Sequence, residues 1–97
     1  MEEEKKFQKK LRVTNACGLH TRPATLIVQC LQECTAEVFF TYKKDRVDAR
    51  SILNLLMLAV QKNGEVLVEV IGLDAHETLV KIEALFLSQF GESEQYV

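Results

Sequence analysis

No long apolar run occurs in this chain. The longest stretch, from Leu55 to Val60, falls far below the roughly 20 residues that cross a bilayer, so no membrane span is expected. No apolar segment follows the charged opening Met1-Glu2-Glu3-Glu4-Lys5-Lys6, so no secretory leader is read there, and the expected location is cytoplasmic. A large charge imbalance is missing too. The formal net charge is -2, which provides no broad basic surface for nucleic acid. Internal repeats and linker-like stretches are absent. Cysteine is sparse and odd in number, at Cys17, Cys30 and Cys34, which argues for reduced thiols rather than a disulfide framework.

What is present is a chain of 97 residues, 47% of them hydrophobic. That is enough for one small domain with its own core, and too apolar for a disordered chain. Histidine occurs twice, and one of the two organises the reading.

Gly18-Leu19-His20-Thr21-Arg22-Pro23-Ala24 opens an apolar-periodic run that reads as a helix. His20 then falls near the N-cap. Pro23 sits in the first turn, where a missing N–H costs little because those donors have no helical partner. Thr21 and Arg22 keep their N–H groups, free to point at an anion. The partial positive charge of the helix end and the fixed charge of Arg22 favour the same anion. A neutral imidazole can attack an electrophilic phosphorus, and the same positive field favours the neutral, nucleophilic ring. The residues therefore point to a histidine that carries a phosphoryl group. The plainer alternative is a helix-capping histidine with a surface arginine beside it.

Phe7, Leu11 and Val13 alternate with polar residues, interrupted at Lys9, and predict a half-buried strand over 7–14. Asn15-Ala16-Cys17-Gly18 reads as a loop, with Gly18 permitting a positive φ or a close backbone approach. A helix over 21–33 would bury Ala24, Ile27, Leu31 and Cys34. A strand over 36–42 would turn Val38, Phe40 and Tyr42 one way and Glu37, Phe39 and Thr41 the other. A turn at Lys43-Lys44-Asp45 leads to a charged strand over 46–49, suited to a sheet edge. Ser51 fits the N-cap of a second helix ending near Gln61. A strand over 65–71 follows, with Val66, Val68 and Val70 on one face and Gly72 as its stop. Asp74-Ala75-His76-Glu77 has capping-box spacing, and Leu79, Ile82, Phe86 and Phe90 make the buried stripe of the last helix, with Gly91 as its stop. The order β-α-β-β-α-β-α predicts an α+β open-faced two-layer sandwich, with helices on one face of a four-stranded, mostly antiparallel sheet.

The histidine motif resembles the phosphorylation-site signature of the HPr family, the histidine phosphocarriers of the phosphoenolpyruvate-dependent phosphotransferase system. The likeness continues over residues 7–91, flanked by tails at 1–6 and 92–97, and includes the match of Ser51-Ile52-Leu53-Asn54-Leu55-Leu56 to the regulatory-serine helix. The segments Leu55-Leu56-Met57-Leu58 and Glu83-Ala84-Leu85-Phe86 resemble NPr, the nitrogen-branch paralogue. The resemblance implies strand order 1-4-2-3, with three helices on one face. It implies phosphorylation of His20 on the δ1 nitrogen, stabilised by Arg22 and by the backbone of Thr21 and Arg22, and regulatory phosphorylation of Ser51 by an HPr kinase/phosphorylase. It further implies a surface of Leu19, Thr21, Ile52, Leu55 and Leu56 that docks enzyme I and an enzyme IIA-type acceptor, with the two helix starts side by side. A monomer without metal or cofactor is expected. Cys17, before the motif, and Gln29, Gln32 and Asp45, where sugar-branch proteins are more basic, depart from the pattern.

Two other functions compete with a carrier. One is a regulatory binding module that docks its Ser51 helix, with phosphoryl carriage secondary. The other is a sandwich domain without phosphoryl chemistry. A zinc site from Cys17, His20, Cys30 and Cys34 matches no common module, and core filling suits Cys30 and Cys34 better. His76 has no arginine partner and reads as solvent-facing. Phe39 and Tyr42 read as sheet packing, since no basic groove accompanies them.

Overall fold

The alternation of Val66, Val68 and Val70 lies on a central strand, with all three side chains fully buried. In the computed structural model, which describes residues 4–92, the chain runs β1 (Lys5–Arg12), α1 (Thr21–Leu31), β2 (Glu37–Tyr42), β3 (Asp45–Asp48), α2 (Ile52–Leu58), β4 (Glu65–Gly72) and α3 (Ala75–Leu87), then a short 3-10 turn at Gln89–Gly91. The strands pair antiparallel in the order β1-β4-β2-β3. The expected α+β sandwich is the observed one. β3, short and charged, takes an edge, where charge discourages pairing with other chains.

The register aligns the apolar sets. Phe7 and Leu11 stand opposite Val70 and Val66, and Val38 and Phe40 opposite Val70 and Val68. Lys9, opposite Val68, interrupts this face, and its ammonium pairs with the Glu83 carboxylate of α3. The helices bury Ala24, Ile27 and Leu31, then Leu55 and Leu58, then Leu79, Ile82 and Phe86 against the sheet. Phe86 joins Phe40 and Phe90 in one aromatic cluster, with ring centroids 6.0 and 5.0 Å apart.

Several expected boundaries move, each for a tertiary reason. Lys5 and Lys6 belong to β1 rather than to a tail, because β4 is long enough to pair them with Gly72 and Ile71. The rest of the expected N-terminal tail, apart from Glu4, lies outside the described residues. α1 stops at Leu31 instead of 33. Its carbonyl end is capped by Arg50, whose guanidinium donates to the carbonyls of Leu31, Cys34 and Ala36 at 2.7, 2.6 and 2.8 Å. α2 stops at Leu58 rather than near Gln61, because Ala59 takes a left-handed conformation, φ 53°, that turns the chain away. Asp74 caps α3 in position but not by its side chain, which instead accepts from the Thr35 N–H at 2.9 Å. That bond holds the Asp74 carboxyl below the usual carboxylate range. Phe90 sits on the α3 stripe but beyond the helix, in the 3-10 turn.

Cys34 is buried, Cys30 half-buried and Cys17 exposed. Burial pushes the Cys30 thiol up, as in an inert core cysteine. His20 and Cys34 flank opposite ends of α1, whose 11 residues rise about 16 Å, so the four zinc-type side chains do not converge. Among the described residues no group of three or more His, Cys, Asp or Glu could hold a metal ion, and no helix is long and apolar enough to cross a membrane.

Candidate functional site

The loop before α1 is shaped by Gly18. It has φ +68°, and the Val60 carbonyl lies directly against it. The next residue, Leu19, donates its N–H to that same carbonyl at 2.8 Å. The turn after α2 thereby anchors the loop. His20 follows in an extended conformation at the N-cap of α1, and its carbonyl accepts from Ala24 N–H at 3.0 Å. Its ring makes no capping bond and is free for other work.

Pro23 occupies the third helical position and supplies no N–H. The N–H groups of Thr21 and Arg22 have no acceptor among the described residues, and the first turn carries no acidic side chain. Arg22 is exposed and forms no ion pair with another described residue. Its guanidinium stands beside Gly91, from which a Cβ would reach it at 4.0 Å. Two backbone donors at the helix end follow the imidazole in the chain, and among the described residues the Arg22 guanidinium has no ion-pair partner, a set of groups that suits a tetrahedral dianion.

A residue of the expected C-terminal tail completes the site. Glu92 Oε2 lies 2.8 Å from His20 Nε2, and Glu92 Oε1 accepts from Asn15 Nδ2 at 2.9 Å. Asn15 Nδ2 also donates to the Gly18 carbonyl at 2.7 Å. A carboxylate only accepts, so Nε2 carries the proton of this contact, and in the neutral ring the lone pair then lies on Nδ1. Glu92 arrives through a left-handed turn in which Gln89, Phe90 and Gly91 have φ of 56°, 55° and 72°. Phe90 is locked in the core, and Gln89 Nε2 donates to Thr14 Oγ1 at 3.2 Å. No local signal marks Glu92, because its partner Asn15 is 77 residues away. The remainder of the expected C-terminal tail, residues 93–97, lies outside the described residues.

His20 and Thr21 open onto a cleft of about 360 Å³ with Cys17, Leu56, Ala59 and Gln61 around it. The end of α2, not its start, therefore borders His20. The α2 start is fastened by Arg50 to the far end of α1, so the two helix starts do not lie side by side as the resemblance implied. α1 and α2 run in opposite senses. Ser51 caps α2, its Oγ accepting from Asn54 N–H at 3.2 Å.

Of the expected docking residues, Thr21 and Ile52 are exposed and Leu56 is half-buried. Leu19 and Leu55 are not available to a partner, since their side chains fill the core at 2% and 0% exposure. The apolar surface that α2 does present comes from Leu53 and Met57, at 62% and 72%. Their spacing of four residues, opposite the Leu55 and Leu58 stripe, is the signal that identifies them. His76 is exposed and meets the Phe7 ring edge-on at 5.5 Å, away from the site. Phe39 lies on the sheet face turned from the helices, under the Arg46 guanidinium at 3.9 Å.

Residues 7–88 match the family model described as the PTS HPr component phosphorylation site. Over 80 residues the chain is 42% identical to the phosphocarrier protein HPr of Chlamydia pneumoniae, which covers 82% of this chain and 74% of that one. It is 39% identical over 77 residues to the HPr-like protein Crh of Bacillus subtilis, covering 79% and 91% of the two chains. Among solved structures, HPr-C-His from Thermoanaerobacter tengcongensis superposes with a TM-score of 0.86 at 29% identity, over 90% of this chain and 98% of that one.

Proposed function

The chain belongs to the HPr family of phosphotransferase-system phosphocarriers, and from that premise we propose that His20 is the residue that carries the phosphoryl group, on Nδ1. The observation that carries this reading is the setting of the ring: His20 stands at the N-cap of α1, followed by two backbone donors and by Arg22, none of which has a partner among the described residues. The Nδ1 lone pair attacks phosphorus as the bond to the donor breaks in line, and the donor keeps the bonding pair. The Thr21 and Arg22 N–H groups and the Arg22 guanidinium hold the equatorial oxygens, so the gain comes from positioning and charge. The chain itself supplies no metal or nucleotide to this step.

The donor in this reading is phospho-enzyme I, and the acceptor is an enzyme IIA-type protein. Both approach the cleft along Thr21, Leu56 and the exposed α2 residues Ile52, Leu53 and Met57. The carrier works as a cytoplasmic monomer. Incubation with phosphoenolpyruvate and enzyme I tests it, read by intact mass and acid lability. A gain of one phosphoryl mass that acid removes supports the carrier, and an unmodified chain overturns it.

A second reading makes the protein a regulatory module controlled by an HPr kinase/phosphorylase acting on Ser51. Its support is the exposed pair Leu53 and Met57, next to Ser51 on the same helix. It predicts partner binding that survives His20→Ala and responds to Ser51 modification.

A further inference from the structure

We propose that Glu92, anchored by the buried amide of Asn15, is a positioning residue that holds His20 as its Nε2–H tautomer and so keeps Nδ1 ready to accept phosphoryl. The proposal rests on the carrier reading and deepens it. Three observations converge. Glu92 bonds to the ring nitrogen that the reaction leaves alone. Its second oxygen is tied to Asn15, which is 1% exposed and also bonded to Gly18, the glycine of the histidine loop. The peptide that delivers Glu92 contains two successive non-glycine residues with positive φ, Gln89 and Phe90. Such a conformation persists only where its surroundings over-determine it, and here Phe90 is packed in the core while Gln89 is bonded to Thr14. The fold thus holds an uncommon backbone shape that carries a carboxylate to the imidazole.

The chemistry follows from the tautomer. A neutral imidazole has one lone pair in the ring plane, and it lies on the nitrogen without the proton. With the proton on Nε2, the pair is on Nδ1. As Nδ1 gives that pair to phosphorus, positive charge spreads over the ring, and the bond to the donor breaks with its electrons. The Nε2 proton stays in its bond to Glu92, whose negative charge offsets the new cation. The same carboxylate faces the positive charge of the phosphorylated ring, and onward transfer returns the bonding pair to Nδ1 and leaves the neutral Nε2–H imidazole. Elsewhere, a carboxylate that orients a histidine and balances its charge plays the same part in nucleophilic triads. Asn15 leaves Glu92 little rotational freedom by holding the oxygen that His20 does not use.

The test uses full-length protein labelled with 15N in histidine, in wild-type, Glu92→Gln and Asn15→Ala forms. Ring-nitrogen spectra report the His20 tautomer, and phosphoramidate, a small phosphoryl donor that needs no docking surface, reports the intrinsic reactivity of the ring. Wild type is expected to show a protonated Nε2 and an unprotonated Nδ1 when neutral. Glu92→Gln is expected to mix the two tautomers and to slow phosphorylation at Nδ1 at least tenfold, while Asn15→Ala shifts both readouts in the same direction. Unchanged tautomer populations in Glu92→Gln overturn the proposal, as does unchanged reactivity with phosphoramidate. Should Asn15→Ala fail to fold, Glu92→Gln, which alters only a half-buried residue beyond the last helix, decides alone. A wild-type protein that refuses phosphoryl from phosphoramidate and from enzyme I overturns the carrier reading instead, and the tautomer spectra still decide the positioning role.

Discussion

Gly18 and Val60 approach so closely that a Cβ on Gly18 would stand 2.3 Å from the Val60 carbonyl oxygen. No rotamer relieves this contact, since both groups are backbone. Gly18 also holds φ +68°, where a side chain adds about 1–2 kcal/mol of strain. Gly18→Ala is therefore expected to lose at least that much stability in urea unfolding and to displace His20 from the end of α1. A variant as stable and as readily phosphorylated as wild type would show that the loop adapts.

His20→Ala is expected to take up no phosphoryl from phosphoenolpyruvate and enzyme I, whereas His76→Ala takes it up normally. Only His20 stands at a helix start beside an arginine, while His76 packs on Phe7. Intact mass after incubation distinguishes the variants, and a phosphorylated His20→Ala protein would sink the site assignment.

Arg22→Ala should fold as wild type does, because the side chain is exposed and makes no ion pair with a described residue. A charge-assisted contact to phosphate is worth about 1.5–3 kcal/mol, enough to slow transfer at least about tenfold. Rapid-quench transfer kinetics with an unchanged melting temperature give this pattern. Wild-type kinetics would remove Arg22 from the site.

Ser51→Asp is expected to keep the fold, since Asp caps a helix about as well as Ser. Ser51→Ala, which loses the bond to Asn54 N–H, should cost about 1 kcal/mol. The added charge sits at one end of the α2 face bearing Ile52, Leu53 and Met57, while the other end borders His20. Because this is the face that partners are proposed to approach, Ser51→Asp should raise the carrier concentration needed for half-maximal phosphorylation by enzyme I. An unchanged concentration and rate would make this serine a cap alone.

Asp74 provides a pH prediction. The Thr35 N–H and its neighbours depress the folded carboxyl below its ordinary value. The stabilisation is therefore fully present above about pH 4, the ordinary carboxylate value, and is lost as pH falls below it through the folded value. Asp74→Asn lacks the titrating group, so it should lose less stability than wild type between neutral pH and acid. Parallel losses in urea unfolding would mean that this carboxylate carries no linkage.

Which segments become helices and strands is legible in the sequence, because those choices rest on local patterns. The alternation of Val66, Val68 and Val70 is a strand face wherever it lands, and Ser51 caps a helix with an acceptor three residues from its donor. The histidine motif is legible for the same reason: Gly18, His20, Arg22 and Pro23 act within one turn of chain. Contacts between residues far apart in sequence arise only once the whole chain is packed. Lys9 tolerates the core-facing side of β1 because Glu83 meets it there. Arg50 ends α1 from 14 to 19 residues away and sets Ser51 apart from His20. Leu19 and Leu55, apolar like Leu53 and Met57, were turned inward by packing that no periodicity over a seven-residue helix can specify. Glu92 reaches His20 across 72 residues. Its position depends on a left-handed turn whose shape comes from the burial of Phe90, and burial is a property of the whole fold.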